Sequence, residues 1–566
     1  MSDRAAAAVI DPIAAARAWL AQDPDPVTRA ELEQLLTAAD AGDASASAEL
    51  ADRFTTRLAF GTAGLRGRLG AGSNRMNRVL VMQAAAGLAS YLLATPGPDG
   101  PPTVVIGYDG RRNSDVFARD SAEVFAGAGL RAILLPRLLP TPVLAFAVRH
   151  LGADAGVMVT ASHNPPDDNG YKVYLGGADD GAQIVPPADA EIAAHIQRVA
   201  DAGDLASVPR SHGYETASED VVEAYITATA AVSPAPAGIE DMTWAYTAMH
   251  GVGWETLSKI LERAGYPAPA LVTAQTEPDG TFPTVAFPNP EEPGAMDLAF
   301  ETARNVGAEF VIANDPDADR LAVAVPDDDV AGGWRPLTGN EVGLLLGWRA
   351  ARLAAAAGAG REASLACSLV SSPGLAVVAE RYGLSSHATL TGFKWISRAP
   401  GIVYGFEEAL GYLVNPETVR DKDGISAAVA MLGLVAEARG RGATAADLLR
   451  EFQEEFGFFA SGQVSLRVED VSVIGRIMAR LRAEPPQAVG TVAVERIDDL
   501  LDGVDDLPPG DVLRLWLVDG SRVVVRPSGT EPKLKAYLDV RGDSAADARA
   551  RLAALEAGAR ELVAAE

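Results

Sequence analysis

The sequence predicts an α/β protein with much parallel strand pairing, followed by a C-terminal part of α+β character. Two observations predict this. Short β-branched runs alternate with segments of helical periodicity through most of the chain, which is the pattern of βα layers. Beyond about residue 450 the strands instead come in closer succession, with helices interspersed. In chain order, the first fifty residues are Ala-rich and read as helices packed on the first domain. Residues 104–106 read as a strand, and 115–127 as a helix with Phe117, Ser121, Val124 and Phe125 near one face. Residues 132–135 and 157–159 read as further strands. Met296, Ala299, Phe300 and Ala303 recur at helical spacing just before a strand at 310–313. Strands are then expected at 463–468, 514–518, 523–526 and 534–540, and a last helix with Leu552, Leu555, Ala559 and Leu562 on one stripe. No short repeat is visible.

Composition narrows the class of function. At about 150 residues per domain, 566 residues suggest roughly four domains. A net charge of −28 argues against nucleic acid or an anionic membrane as the main partner. No 18-residue apolar run and no signal-peptide pattern is present. Cys367 is the only cysteine, so no intrachain disulfide can form, which fits a reducing cytoplasm. It lies in an apolar run and reads as a core thiol, not a nucleophile. Composition says nothing of oligomeric state.

Four loops carry chemistry. The first follows the strand at 157–159: Thr160-Ala-Ser162-His163-Asn-Pro165. Ligands in open α/β sheets bind beyond the carboxyl ends of strands, and a serine there can carry a phosphoryl group as a covalent relay. Taken alone, the loop fits a helix or turn cap equally well. The second loop, Asp315-Pro-Asp317-Ala-Asp319-Arg320, sets three carboxylates at alternate positions after a buried strand. Such hard oxygen ligands suit Mg²⁺, and clustered anions repel unless a cation neutralises them. A Ca²⁺ helix-loop-helix site does not fit, because its sixth and twelfth positions would be Arg320 and Pro326. In the third loop, Arg526-Pro-Ser528-Gly529-Thr530-Glu-Pro-Lys533, a guanidinium, two hydroxyls, a glycine amide and a lysine compose a phosphate cradle. It lacks the nucleotide P-loop pattern. The fourth, Phe406-Glu407-Glu408-Ala409, offers adjacent carboxylates that suit sugar hydroxyls or an exposed turn equally.

Together these loops resemble the α-D-phosphohexomutase family of phosphoglucomutases and phosphomannomutases, in the family's order. The resemblance opens with Phe60-Gly-Thr-Ala-Gly-Leu-Arg66-Gly67 and Gly107-Tyr-Asp109-Gly-Arg111, and includes Thr391-Gly-Phe393-Lys394-Trp395. Met249-His-Gly-Val-Gly253 and Gly405–Tyr412 look closest to the long phosphoglucomutase and phosphopentomutase-like branch. The resemblance implies three related α/β domains plus a C-terminal α+β domain around a central cleft. Its expected limits are residues 1–208 with the phosphoserine loop, 209–328 with the metal loop, 329–450 with the sugar loop and 451–566 with the phosphate loop.

The implied activity interconverts sugar 1-phosphate and 6-phosphate through phosphorylated Ser162 and a sugar 1,6-bisphosphate, which is also the activator. Ser162, Asp315, Asp317 and Asp319 are the implied Mg²⁺ ligands. Lys172 is the implied general base or acid, with Arg66 stabilising charge and His163 shaping the loop or touching its phosphate. Base work by Lys172 would need its pKa pulled down by burial or neighbouring cations. Arg320, Lys394, Glu407, Arg526, Ser528, Gly529, Thr530 and Lys533 are the implied substrate-binding residues, and small phosphosugars the partners. Two departures bear on the sugar. Ala409 stands where many relatives have serine, and Phe393, followed by Lys394, follows the phosphoglucomutase pattern where bacterial phosphomannomutases often carry histidine. Glucose 1-phosphate, in its 1,6-bisphosphate cycle, is therefore the expected substrate, with mannose or pentose phosphates as alternatives. Two other classes compete. A haloacid-dehalogenase-type phosphatase would use Asp315 as nucleophile but leaves Ser162 and the Arg526 loop without a role. A non-catalytic sugar-phosphate sensor would be expected to have lost the serine or an aspartate.

Overall fold

The computed structural model describes residues 11–94, 100–505, 507–528 and 532–564. The chain forms two compact units, Met1–Leu321 with Glu417–Val429, and Ala322–Pro416 with Ala430–Glu566.

The first unit opens with helices Pro12–Gln22, Pro26–Asp40 and Ala44–Phe54. Asp11, Asp25 and Asp43 start them, each side chain accepting from first-turn amides that no carbonyl within the helix can reach. Their apolar faces share a buried cluster with Ala71 and Val79, so the Ala-rich segment packs on the first α/β layer as expected. The sheet of that layer has three parallel strands at its centre, Ala155–Val159, Thr103–Tyr108 and Arg131–Leu134. Asp168–Leu175 pairs antiparallel with Ala155–Val159, and Leu65–Arg68 pairs antiparallel with Asp168–Leu175. The expected helix is Ser114–Gly127, with Phe117, Ser121, Val124 and Phe125 all buried. Tyr108 and Val159 are register partners, so Asp109 and Thr160 leave the sheet side by side.

A second parallel set joins Ala270–Leu271, Trp244–Thr247 and Phe310–Asn314. Helix Asp297–Val306 precedes the last of these and buries Ala299 and Ala303. Phe310–Asn314 is buried along its whole length and delivers Asp315 at its end.

The second unit contains a sheet ordered Ser385–Thr389, Ser364–Ser368, Ile402–Glu407, Gly411–Leu413. The first three strands are parallel and the last is antiparallel. Helix Gly339–Ala356 packs on Ile402–Glu407, its N-terminus closed by reciprocal Thr338 and Glu341 bonds. The C-terminal sheet is antiparallel throughout, ordered Phe458–Arg467, Lys533–Gly542, Arg522–Pro527, Leu513–Leu517, Val492–Asp499, Ala488–Val489. The last two strands were not expected from the sequence. Val492–Asp499 carries Glu495 and Arg496 on a largely exposed strand, which blunts the alternation that marks a half-buried one. The final helix, Ala545–Val563, buries Ala548, Leu555, Ala559 and Val563, while Leu552 and Leu562 flank that face. Three α/β layers and a C-terminal α+β unit are thus the architecture. Among the described residues, no helix is long and apolar enough to cross a membrane.

Register in the first sheet brings basic residues toward the serine loop: Arg66 is opposite Gly170, and Lys172 opposite Met158. A Cβ at Gly170 would stand 2.6 Å from the Thr160 carbonyl oxygen and 2.8 Å from that of Leu65. Gly170→Ala is therefore expected to cost about 1–3 kcal/mol by overpacking against backbone that has no room to yield. A thermal melt checks it, and an unchanged midpoint would show that the strand pair is looser than described.

Candidate active site

The serine loop is held from below by one buried carboxylate and one buried guanidinium. Asp109 accepts from Thr160 Oγ1 at 2.7 Å, Ser114 Oγ at 2.7 Å and the Arg111 amide at 3.1 Å. Thr160 Oγ1 in turn accepts from the Ser162 amide at 2.8 Å. Arg111 donates to the carbonyls of Ser162 (2.6 Å), Asn164 (2.5 Å), Pro165 (2.9 Å) and Asp168 (3.2 Å). Burial pushes the Asp109 carboxyl up, against the opposing pull of Arg111 and the hydroxyl donors. Ser162 sits at φ +53°, in the left-handed region. Such a conformation costs a serine on the order of 1–3 kcal/mol and persists only where its surroundings over-determine it. The bonds from Arg111 and Thr160 do so. They leave Ser162 only 2% exposed, with its Oγ 2.9 Å from Asp315 Oδ2 and 3.1 Å from His163 Nδ1.

Asp315, Asp317 and Asp319 are wholly buried, and one oxygen from each lies within 4.8 Å of the others. Asp317 Oδ2 accepts from Lys172 Nζ at 2.8 Å and Thr141 Oγ1 at 2.7 Å. Asp319 Oδ2 accepts from Lys172 Nζ at 2.8 Å. Asp317 Oδ1 and Asp319 Oδ1 are buried with no hydrogen-bond partner. Burial, then repulsion from Asp317 and Asp319, holds the Asp315 carboxyl well above its usual range. Burial also works to raise Asp317, but Lys172 and Thr141 outweigh it and hold that carboxyl low. Asp319 is likewise held low, by Lys172, Lys422 and Arg320 against burial and Asp317. Three clustered carboxylates, two of them with an orphaned oxygen, fit a divalent cation bound by hard oxygen ligands.

The structure brings the remaining first-unit residues to the same place. Arg66 donates to Asn164 Oδ1 at 3.3 Å. The Arg320 amide donates to Asp315 Oδ1 at 2.9 Å, and its Nε lies 3.8 Å from Asp319 Oδ1. His163 Nδ1 is 4.0 Å from Asp315 Oδ2, a carboxylate neighbour that sequence spacing did not indicate. Burial pushes the imidazole well down, and Arg320 and Arg66 add to that, so the ring is neutral. For Lys172 the shift opposes the one base work would need. Burial works to lower its pKa, but Asp317 and Asp319 overcome this and hold the ammonium above the usual lysine value. In this arrangement Lys172 is an ammonium paired with two carboxylates.

Sequence reasoning missed Lys422. Its Nζ lies 3.3 Å from Asp319 Oδ2. The segment that carries it is tied down on both sides: Asp421 accepts from Tyr174 Oη at 2.8 Å and Gln183 Nε2 at 2.9 Å, and Asp423 accepts from Tyr225 Oη at 3.0 Å. Asp423 also accepts from the Ile425 and Ser426 amides, at the start of helix Gly424–Gly440. A Cβ on Gly424 would fall 2.2 Å from the Arg320 carbonyl oxygen, so the segment packs directly on the acidic loop.

The second unit holds the other expected residues. Lys394 lies in the short helix Phe393–Ile396, and Glu407 ends strand Ile402–Glu407. Arg526 is opposite Lys535 in the C-terminal sheet and bonds the Tyr537 side chain. Burial, then the negative charge of Glu408 and Glu407, pushes the Tyr537 hydroxyl up, against the pull of Arg526. The Ser528 amide donates to the Lys533 carbonyl at 2.8 Å. Gly529 and Thr530 lie outside the described residues.

Comparison with known proteins decides the family. The chain matches domain I of phosphoglucomutase/phosphomannomutase over residues 57–202, domain II over 223–330, domain III over 338–456 and the C-terminal domain over 478–557. The chain belongs to the phosphoglucomutase/phosphomannomutase family. It is 56% identical over 488 residues to a Haemophilus influenzae protein named as a probable phosphomannomutase, covering 86% of this chain and 98% of that one. It is 34% identical over 577 residues to a Schizosaccharomyces pombe protein named as a probable phosphoribomutase, covering 94% of each. The crystal structure of a phosphoglucomutase/phosphomannomutase family protein from Burkholderia thailandensis shares the fold, with a TM-score of 0.69 at 20% identity over 90% of this chain and 97% of that one. This family member is an enzyme, an intramolecular phosphotransferase of the phosphosugar mutase type.

Replacing Asp317 by Asn is expected to weaken Mg²⁺ activation and lower the turnover rate together, because a neutral amide is a poorer ligand for a hard cation. A metal titration of activity reads both. Unchanged metal dependence and rate would show the loop to be an acidic turn only.

Proposed function

We propose that the protein interconverts a sugar 1-phosphate and the 6-phosphate through a phosphoryl group carried on Ser162 and a 1,6-bisphosphate intermediate, with α-D-glucose 1-phosphate preferred. The observation that carries this reading is Ser162 itself. Its hydroxyl is held in a left-handed turn, in reach of Asp315 and of a neutral imidazole, beside three buried carboxylates and a charged lysine. A serine that merely caps a turn needs none of these neighbours.

In the proposed cycle the sugar O6 attacks the phosphorus on Ser162, the Oγ–P bond breaks as O6–P forms, and Lys172 protonates the departing Oγ. The O6 proton returns to Lys172, so the chain's protonation is unchanged. The resulting 1,6-bisphosphate then gives its C1 phosphoryl group back to Ser162 by the same exchange in reverse, leaving the 6-phosphate. Asp315, Asp317, Asp319 and Ser162 would hold Mg²⁺, which when bound supplies charge neutralisation for the transferring group. Arg66 and Arg320 add fixed positive charge, and His163 supports the serine loop. We assign Lys394, Glu407, Arg526, Ser528, Gly529, Thr530 and Lys533 to the sugar and its non-reacting phosphate. The same reading takes four domains with limits at 208, 328 and 450, small phosphosugars as the partners, glucose 1,6-bisphosphate as activator and the cytoplasm as location.

A second reading with the same mechanism takes mannose or a pentose phosphate as the preferred substrate, after the relatives named as a probable phosphomannomutase and a probable phosphoribomutase. Glucose and mannose differ in the orientation of one hydroxyl, so a site that bonds it discriminates and one that leaves it in water does not. The test is kcat/KM for glucose 1-phosphate, mannose 1-phosphate and ribose 1-phosphate, with bisphosphate activator present. A lead for glucose supports the first reading. A lead for mannose or ribose replaces the sugar and keeps the phosphoserine cycle.

A further inference from the structure

Strand Ser364–Ser368 of the second unit runs into Leu369-Val370-Ser371, and Ser371 is buried. Its hydroxyl donates to Glu408 Oε2 at 2.8 Å and accepts from the Glu408 amide at 3.1 Å. One serine thus fixes both the backbone and the carboxylate of the residue that follows Glu407. The next residue, Ala409, has no hydroxyl, so the one bound to Glu408 comes from a different strand end.

Ser371 is itself immobilised. Its amide donates to the Ser368 carbonyl at 2.9 Å, and its own carbonyl accepts from Arg522 Nη2 at 2.7 Å. Arg522 is buried and donates from Nε to Asp539 at 3.0 Å, while Ser461 Oγ donates to the same carboxylate at 2.7 Å. Leu369, Val370, Val524 and Tyr537 close an apolar cluster beside this chain of bonds. A line of fixed donors and acceptors therefore runs from the C-terminal sheet, through Arg522 and Ser371, to the Glu408 carboxylate. A carboxylate projecting from a loose backbone can re-aim at hydroxyls of different orientation, whereas Glu407 projects from a backbone pinned at the next residue, and pre-organisation of this kind is what separates isomers.

We propose that Ser371 is a specificity-determining positioning residue, which by pinning Glu408 sets the aim of the adjacent Glu407 and thereby which sugar phosphate is accepted. This rests on the assignment of Glu407 to the sugar. The test uses the full-length enzyme and its variants Ser371→Ala and Arg522→Lys. It compares kcat/KM, and its division between kcat and KM, for glucose 1-phosphate, mannose 1-phosphate and ribose 1-phosphate, alongside a thermal melt. Ser371→Ala is expected to shrink the ratio between the best and worst sugars by about tenfold, the scale of one hydrogen bond to a charged group. The shift is expected mainly in the KM of the preferred sugar. Arg522→Lys loosens Ser371 without removing it and is expected to move the ratio in the same direction by less. A serine that serves stability alone would lower the melting midpoint and leave the ratio intact, and that result overturns the proposal. If Ser371→Ala does not fold, the ratio in Arg522→Lys decides. A wild-type enzyme that turns over none of the three sugars overturns the mutase reading and this proposal together, whereas an active wild type with an unmoved ratio overturns this proposal only.

Discussion

Asp315, Asp317 and Asp319 sit at the end of a buried strand, with ligand oxygens no more than 4.8 Å apart and no exposure to water. At an effective dielectric of about 20, each pair of full charges at that separation repels by roughly 3 kcal/mol, so three pairs reach roughly 10 kcal/mol. A whole domain is stable by only about 5–15 kcal/mol. The loop therefore has to be neutralised, and the surrounding chain is arranged to do it. Lys172 comes from the first sheet, Lys422 from a segment far along the chain, and Arg320 from the loop itself. Beyond these cations, Asp317 Oδ1 and Asp319 Oδ1 have no hydrogen-bond partner, and such oxygens suit a hard divalent ion. The demand for positive charge at this point links the register of the first sheet and the strap around Lys422.

The serine loop is the second half of that arrangement. Its left-handed turn is stabilised by Arg111, which spends its donors on four backbone carbonyls, and by Asp109, whose acceptors fix Thr160 and, through it, the Ser162 amide. Both follow the end of a strand whose neighbour ends at Val159, just before Thr160. Parallel pairing therefore does more than build a core: it sets the clamp and the Ser162 loop next to each other at one edge. Phosphoryl transfer asks little covalent chemistry of a protein beyond positioning and charge, and these two loops provide both.

Much of this was legible in the sequence, for reasons that differ by residue. Ser162 and the three aspartates could be found because each follows a short apolar strand and breaks abruptly into polar residues, a local signal. Helix Ser114–Gly127 followed from its periodicity. The protonation of Lys172 was not legible, because it depends on two carboxylates 145 and 147 residues away. Lys422 was hidden for the same kind of reason. Arg420-Asp-Lys-Asp423 has the composition of a solvated turn, and only Tyr174, Gln183 and Tyr225, all distant in sequence, make it a buried one. Arg111 belongs to the Gly107-Tyr-Asp109-Gly-Arg111 motif, but its bonds go to backbone carbonyls, which carry no sequence pattern. Strand Val492–Asp499 was lost because the register shift between Val494 and Arg496 breaks the alternation of its core-facing residues Val492, Val494 and Ile497.

The account turns on Ser162 carrying the phosphoryl group, and intact-mass analysis with fragmentation tests this directly. Purified protein is incubated with glucose 1,6-bisphosphate and Mg²⁺, then compared with protein treated with glucose 1-phosphate or glucose 6-phosphate in excess. The account predicts one added phosphoryl group after bisphosphate, located on Ser162, and its loss on incubation with the monophosphates as bisphosphate forms. A phosphoryl group found on Asp315 instead, or no covalent phosphate in an enzyme that still interconverts the sugar phosphates, would contradict it.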